Sequence, residues 1–290
     1  MSIAVLGSNG QLGKSLEKIL ADGDISFNQY SSKEVNITEI SQISSIDIPS
    51  VIINAAAYTD VEKAEIDQEK AFKANELGAK NIALYCREFE VPLIHLSTDY
   101  VFDGASNNPY IESDVVNPQS IYGKSKLAGE LAIQKYCPKH IILRTSWVFS
   151  EFGKNFVKTM LKMSSNKELE VIDDLFGTPT DASELANAII KLIPLVMEPQ
   201  FESKILHFAG QESVSWFEFA SIIFDEAIKN NFIEKIPIIN PISSKLYQAK
   251  AARPNNSSLS SEYFFNITGF KHPRLRDAIK KTVRNIYLQK

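Results

Sequence analysis

Short runs that are apolar at nearly every position alternate along this chain with longer stretches whose apolar residues recur every three or four positions. Ile3 to Leu6, Ser26 to Tyr30, Val51 to Ala55, Leu93 to Ser97 and Ile141 to Trp147 are of the first kind. Continuous apolarity suits strands covered on both faces, as in a parallel sheet. Gln11 to Ala21, Gln68 to Phe89 and Ile121 to Tyr136 are of the second kind. In the middle one, Ala71, Ala74, Gly78, Ile82 and Tyr85 form the stripe that a helix turns toward a sheet. Strand then helix, repeated, predicts an α/β fold: a Rossmann-type, doubly wound parallel sheet with right-handed crossovers.

After Trp147 the rhythm loosens. Asn155 to Ser164 and Ala182 to Leu195 read as helices, Leu169 to Ile172 and Ile205 to Ala209 as strands. The expected organisation is a dinucleotide-binding domain over 1–147, with segments near 169–209 returning to its sheet. A smaller C-terminal substrate-binding lobe over 148–290 is interleaved with it. Ile236 to Ser261 is rich in Pro, Asn and Ser and reads as irregular structure. It is not a linker, because Ile238, Ile239, Ile242 and Leu246 are spread through it.

Composition narrows the choice of partners. The net charge is −4 and no basic block appears, which argues against nucleic acid. No apolar stretch is long enough to span a bilayer, and the N-terminus lacks the charged leader and long apolar core of a secretory signal. Cys86 and Cys137 lack metal-ligand spacing and read as buried free thiols, which fits a reducing cytoplasm. No His, Cys, Asp or Glu set has ligand spacing, so catalysis without a divalent ion is expected.

Two segments carry candidate chemistry. Gly7-Ser-Asn-Gly10-Gln-Leu-Gly13 joins the first strand to the first helix. Glycine lets the backbone turn and approach a pyrophosphate, while the helix N-terminus offers free N–H groups and a favourable dipole. At the end of the second strand an acidic residue would select a ribose 2′-hydroxyl. Here Tyr30 is followed by Ser31, Ser32 and Lys33, groups that hold a phosphate, and then by Glu34. NADPH is therefore the expected cofactor, with NADH as the alternative. The second segment is Tyr122-Gly-Lys-Ser-Lys126, which opens a helix and puts a phenol and an ammonium on one face. A nearby cation is expected to lower the tyrosine pKa towards the working range of an acid/base catalyst. Thr98, at the carboxyl end of the fourth strand, lies where an open α/β sheet places its ligand, and its hydroxyl can reach the same carbonyl oxygen.

Five motifs extend the pattern: Asn54-Ala-Ala-Ala-Tyr58-Thr-Asp-Val-Glu-Lys-Ala-Glu65, Leu96-Ser-Thr-Asp-Tyr-Val-Phe-Asp-Gly104, Pro118 with Tyr122 to Glu130, Arg144-Thr-Ser-Trp147-Val-Phe, and Arg253-Pro-Asn-Asn-Ser257. Together they resemble the dTDP-4-dehydrorhamnose reductase family of extended short-chain dehydrogenases, nearly end to end. The resemblance implies reduction of a 4-keto-6-deoxy sugar carried on dTDP. It implies Tyr122 as proton donor and Lys126 as the residue that tunes it and holds the nicotinamide ribose. Gly10, Gln11 and Leu12 would lie along the pyrophosphate, and Ala57, Tyr58 and Thr59 along the cofactor. Thr98 and Asp99 would face the sugar, with Trp147 packed beside it. Asn36-Ile37 stands where the family often has Asp and an apolar residue near the adenine, which implies a weaker adenine contact. Arg253, with its rigid guanidinium, is the candidate for the diphosphate. A homodimer is the assembly left open. The rival readings are an epimerase or a reductase of another nucleotide sugar, and a non-catalytic regulatory subunit of the same fold.

Overall fold

Five strands follow in order as β1 (Ile3–Leu6), β2 (Phe27–Tyr30), β3 (Val51–Asn54), β4 (Leu93–Thr98) and β5 (His140–Thr145). They belong to a computed structural model that describes residues 1–23, 25–247 and 249–288. A sixth strand, β6 (Lys204–His207), adds to β5, giving the all-parallel order β6-β5-β4-β3-β1-β2. The order reverses between β1 and β3, and a doubly wound sheet leaves a crevice at the carboxyl ends of its strands at such a point.

Two apolar layers clamp the sheet. On one face, α1 (Gln11–Asp22) and a later helix, Ala182–Met197, bury Leu16, Leu20, Ile189 and Leu192 against Ile3, Val5, Val51 and Ile53. On the other, α2 (Gly78–Glu88) and α3 (Ile121–Tyr136) bury Ile82, Tyr85 and Ile133 against Ala4, Leu6, Ile52 and Leu93. Each wholly buried Leu or Ile contributes about 1.5–3 kcal/mol, so these layers hold the strand ends still. This is a Rossmann-type, doubly wound α/β fold.

The helix expected over Gln68 to Phe89 is interrupted by a π-helical turn at Lys73–Leu77. The extra residue turns Asn75 inward. Its Nδ2 donates to the Tyr58 carbonyl (3.0 Å) and to Ser125 Oγ (2.9 Å), and its Oδ1 accepts from the Tyr58 amide (2.8 Å). The loop after β3 is thereby fastened to α3.

The C-terminal lobe has its own core, in which Phe149, Val157, Phe219, Ile223, Phe224, Leu275, Ile279 and Val283 meet. Here the structure departs from the sequence reading. Glu168–Ile172 does not rejoin the large sheet but pairs in parallel with Ile238–Ile242, a strand inside the segment read as irregular. Pro241 lies within that strand; a pair of edge strands tolerates a residue that cannot donate. The run Ile141 to Trp147 is not one strand either. β5 ends at Thr145, Trp147 takes a left-handed φ of 46°, and Val148–Phe149 forms a separate short strand. Among the described residues no helix is long and apolar enough to cross a membrane.

Candidate active site

A cavity of about 810 Å³ opens at the carboxyl ends of the strands, over the reversal of strand order. One wall is backbone. The chain leaves β1 through Gly7, whose φ of 89° lies in the left-handed region; a Cβ there would sit 2.6 Å from the Ala56 amide nitrogen. Gly10 is the N-cap of α1 and supplies no side-chain cap, so the first-turn amides remain available to an anion. Gly7, Gly10, Gln11 and Leu12 line the cavity. Gly13 does not; it packs on the Gly7–Ser8 backbone and lets the helix approach the turn. These features fit a dinucleotide: uncapped amides, a close glycine turn and room enough for the molecule. The Gln11 side chain is otherwise engaged, its Oε1 accepting from Ser150 Oγ (3.0 Å) and Asn155 Nδ2 (2.8 Å) of the C-terminal lobe.

The remaining expected cofactor residues divide. Ser32, Asn36, Ile37, Ala57 and Thr59 line the cavity, whereas Tyr58 does not, its amide being bound to Asn75. Asn36 Oδ1 already accepts from the Thr38 amide (3.1 Å) and hydroxyl (3.0 Å). Ser31 and Lys33 line a separate cavity of about 440 Å³, together with Lys14 and Glu34.

On the reacting side, Thr98, Asp99, Tyr122, Lys126 and Trp147 share the 810 Å³ cavity. Ser120 caps α3 by accepting from the Gly123 amide (3.1 Å), and Glu65 accepts from the Ile121 amide (2.9 Å). The helix start is thus fixed beside Tyr122 and about one turn before Lys126. Burial pushes the Tyr122 phenol up to about 12, partly offset by its bond to Thr98. The lowering expected from Lys126 is not what the site shows. Burial instead depresses the Lys126 ammonium to about 8, because a charge shut away from water is disfavoured. Tyr122 is therefore protonated at neutral pH, the state from which a donor starts. Thr98 Oγ1 donates to Asp99 Oδ1 (2.9 Å) and accepts from the Tyr100 amide (3.2 Å). Asp99 Oδ2 is buried without a partner, and burial raises that carboxyl to about 6.

Trp147 stands at the cavity wall, stacked on Trp216 at 3.5 Å between ring centroids, with its Nε1 donating to Ser257 Oγ (3.2 Å). Trp216 also lines the cavity and was missed in the sequence, as was Lys154, an exposed cation at the same wall. No spacing relates Trp216 to the motifs; only the fold brings it there. Arg253 is not on the cavity wall. It pairs with Glu62 (2.8 Å) and lies over the Tyr247 ring (5.2 Å), while its Nε is buried without a partner. Among the described residues no group of three or more His, Cys, Asp or Glu is placed to hold a metal ion.

Comparison with known proteins agrees with this geometry. The family model described as RmlD substrate binding domain matches residues 1–288. The dTDP-4-dehydrorhamnose reductase of Aggregatibacter actinomycetemcomitans is 40% identical over 263 residues, covering 89% of this chain and 90% of that protein. The Escherichia coli K12 protein of the same name is 34% identical over 294 residues, covering 99% and 98%. The crystal structure of a Bacillus anthracis dTDP-4-dehydrorhamnose reductase in complex with NADP superposes with a TM-score of 0.89 at 33% identity, covering 100% of this chain and 99% of that one. The chain belongs to the dTDP-4-dehydrorhamnose reductase family.

Proposed function

We propose that this chain is an NADPH-dependent oxidoreductase that reduces the C4 keto group of dTDP-4-dehydro-6-deoxy-L-mannose to give dTDP-L-rhamnose. The observation that carries the reading is the convergence of Tyr122, Lys126 and Thr98 on one cavity whose other wall is the glycine turn and the uncapped start of α1. Bound there, the cofactor supplies the hydride. The protein supplies position and the proton.

Tyr122, kept protonated by its burial, donates to the oxygen as negative charge develops on it. Lys126 is on the same face of α3, where its ammonium form would steady the phenolate left behind and would hold the nicotinamide ribose. Thr98 and Asp99 bound the carbonyl side, and the Trp147–Trp216 stack offers a flat apolar wall to the sugar ring. Ser31 and Lys33, in the cavity beside the end of β2, are the groups for the 2′-phosphate. The buried free thiols Cys86 and Cys137 suit a cytoplasmic enzyme.

The test is turnover of NADPH with a dTDP-4-keto-6-deoxyhexose. Tyr122→Phe should fold and bind NADPH as the unmodified chain does. Its rate should fall on the order of 10²–10⁴, the usual loss for a missing general acid. A Tyr122→Phe variant that turns over normally removes Tyr122 from the mechanism.

A further inference from the structure

Behind the catalytic pair, on the side away from the cavity, lies a histidine that the mechanism does not use. His95, on β4, is buried. Its Nδ1 faces Asn54 Nδ2 at 2.9 Å, and its Nε2 faces Lys126 Nζ at 3.4 Å. The orientation of Asn54 is fixed independently, because its Oδ1 accepts from the Ala56 amide (3.0 Å). The nitrogen of Asn54 therefore points at the imidazole and can only donate. Nδ1 of His95 must accept, and the neutral ring then carries its hydrogen on Nε2. That N–H points at Lys126. Nζ in turn donates to the Leu96 carbonyl at 2.6 Å.

We propose that His95 is a positioning residue for the catalytic lysine: the tautomer imposed by Asn54 aims the Nε2–H at Lys126 and makes the amine an acceptor on its protein side. The inference rests on the reading of Tyr122 and Lys126 as the catalytic pair. An ammonium at Lys126 finds one acceptor in the protein, Leu96 O, and meets a donor at His95. Its other hydrogens are left to face the cavity, where the phenolate and the ribose hydroxyls would be. The same donor makes the ammonium easier to deprotonate, which agrees in direction with the depression of Lys126 to about 8. Burial also holds His95 well below the ordinary histidine range, so the ring stays neutral throughout the working range.

The other charged and titratable neighbours do not supply this effect. Glu130, one turn along α3, favours the ammonium, but it is paired with Arg144 of β5 through two bonds of 3.0 and 2.7 Å. His140 of β5 faces His95, and Asp99 faces Tyr122 from the turn after β4.

The experiment is the pH profile of kcat/KM for NADPH-dependent reduction of the dTDP-keto sugar, from about pH 6 to about pH 10. In the unmodified chain the rate should fall on the alkaline side as Lys126 loses its proton, near pH 8. His95→Leu removes the opposing donor. Asn54→Asp, nearly isosteric, still accepts from the Ala56 amide but now accepts from Nδ1–H as well, so that Nε2 turns acceptor and welcomes the ammonium. Both should move the alkaline limb upward by about one pH unit, since each removes a bond to the neutral form. Whichever variant folds, as judged by its thermal melt, decides the matter. A limb that stays in place while the rate drops equally at every pH would show that His95 only packs. Lys126→Met separates the two levels of the argument. If that variant keeps the rate and the limb, the catalytic reading of Lys126 fails. If it loses both while the limb of the His95 and Asn54 variants stays fixed, the inference about His95 alone fails.

Discussion

The two walls of the cavity are made of different material. On the cofactor side the chain presents backbone: the Gly7 turn, the uncapped amides of α1 and the Ala55–Ala57 stretch after β3. On the side proposed for the sugar it presents side chains drawn from distant segments: Trp147 stacked on Trp216, with Ser257 behind the wall accepting from the Trp147 Nε1. A wall of amides is held by the parallel sheet behind it and would recognise what every dinucleotide shares, the pyrophosphate. A wall of side chains is retuned one residue at a time. The difference teaches where selectivity can change without loss of the fold.

The sharpest way to break the comparison is to alter the backbone wall itself. Gly7→Ala places a methyl 2.6 Å from the Ala56 amide nitrogen at a φ of 89° that side chains rarely adopt. Strain of this kind is on the order of 1–3 kcal/mol, so NADPH should bind up to about a hundredfold more weakly. Titration calorimetry with NADPH checks it. An unchanged dissociation constant would mean that the turn is not the pyrophosphate contact.

The next effect belongs to the other wall. Trp147→Ala removes the flat surface proposed to face the sugar and half of the Trp147–Trp216 stack. Misplacing the reacting carbon relative to the hydride should lower kcat on the order of tenfold, with KM for NADPH little changed. Steady-state kinetics with both substrates varied would show the split. Equal damage to NADPH binding would mean that the walls are not separable.

The same contrast explains what could be read in the chain. β1, β3 and β4 are buried on both faces, so their apolar runs announce them without reference to any partner. The Tyr122–Lys126 pair is legible because a single helix sets its geometry. The sugar wall is not local. Trp147 and Trp216 come from separate segments, and nothing at either position names the other. The run Ile141 to Trp147 reads as one strand ending at Trp147, and nothing in its pattern marks the end of β5 at Thr145 or the left-handed φ at Trp147. The strand Ile238–Ile242 was hidden by Pro241 and by its own exposure. A two-stranded pair need show neither alternation nor continuous apolarity. Asn75 was invisible for another reason: a π turn shifts the helical phase, and the sequence stripe runs straight across it.

A smaller effect is expected at Arg253. Its guanidinium is held by Glu62 (2.8 Å), which also accepts from the Lys250 amide (2.8 Å). If the diphosphate of the sugar nucleotide takes over this guanidinium, Glu62 is its competitor. Arg253→Ala should then raise KM for the dTDP-sugar by about fivefold and leave KM for NADPH alone, the pattern of lost uniform binding. Glu62→Gln should lower the same KM. Both substitutions raising it would reduce the pair to a brace between the loop and the short helix at Val61–Ala64.

The smallest effect tests whether a side chain can tune even the backbone wall. Beside the end of β2, Lys14, Lys33 and Ser31 surround the 440 Å³ cavity where a 2′-phosphate would lie. Those groups would favour NADPH. Glu34 opposes them from the same wall. Its carboxylate accepts from the Ser31 amide (2.8 Å) and from the Ser31 hydroxyl (2.7 Å), two donors that a phosphate could otherwise use. The same two bonds lower the Glu34 pKa, so it is ionised throughout the neutral range and its charge repels a phosphate dianion. The carboxylate is solvent-exposed, and water and salt screen much of that repulsion. Glu34→Gln keeps the shape and one acceptor oxygen but removes the charge. The ratio of kcat/KM for NADPH to that for NADH should therefore rise by about three- to fivefold, and the gain should shrink as ionic strength is raised, as expected of a screened surface charge. NADH itself has no 2′-phosphate and should be affected little. A ratio that stays fixed, or one that rises equally at all salt concentrations, would show that Glu34 acts only by shaping the turn after β2.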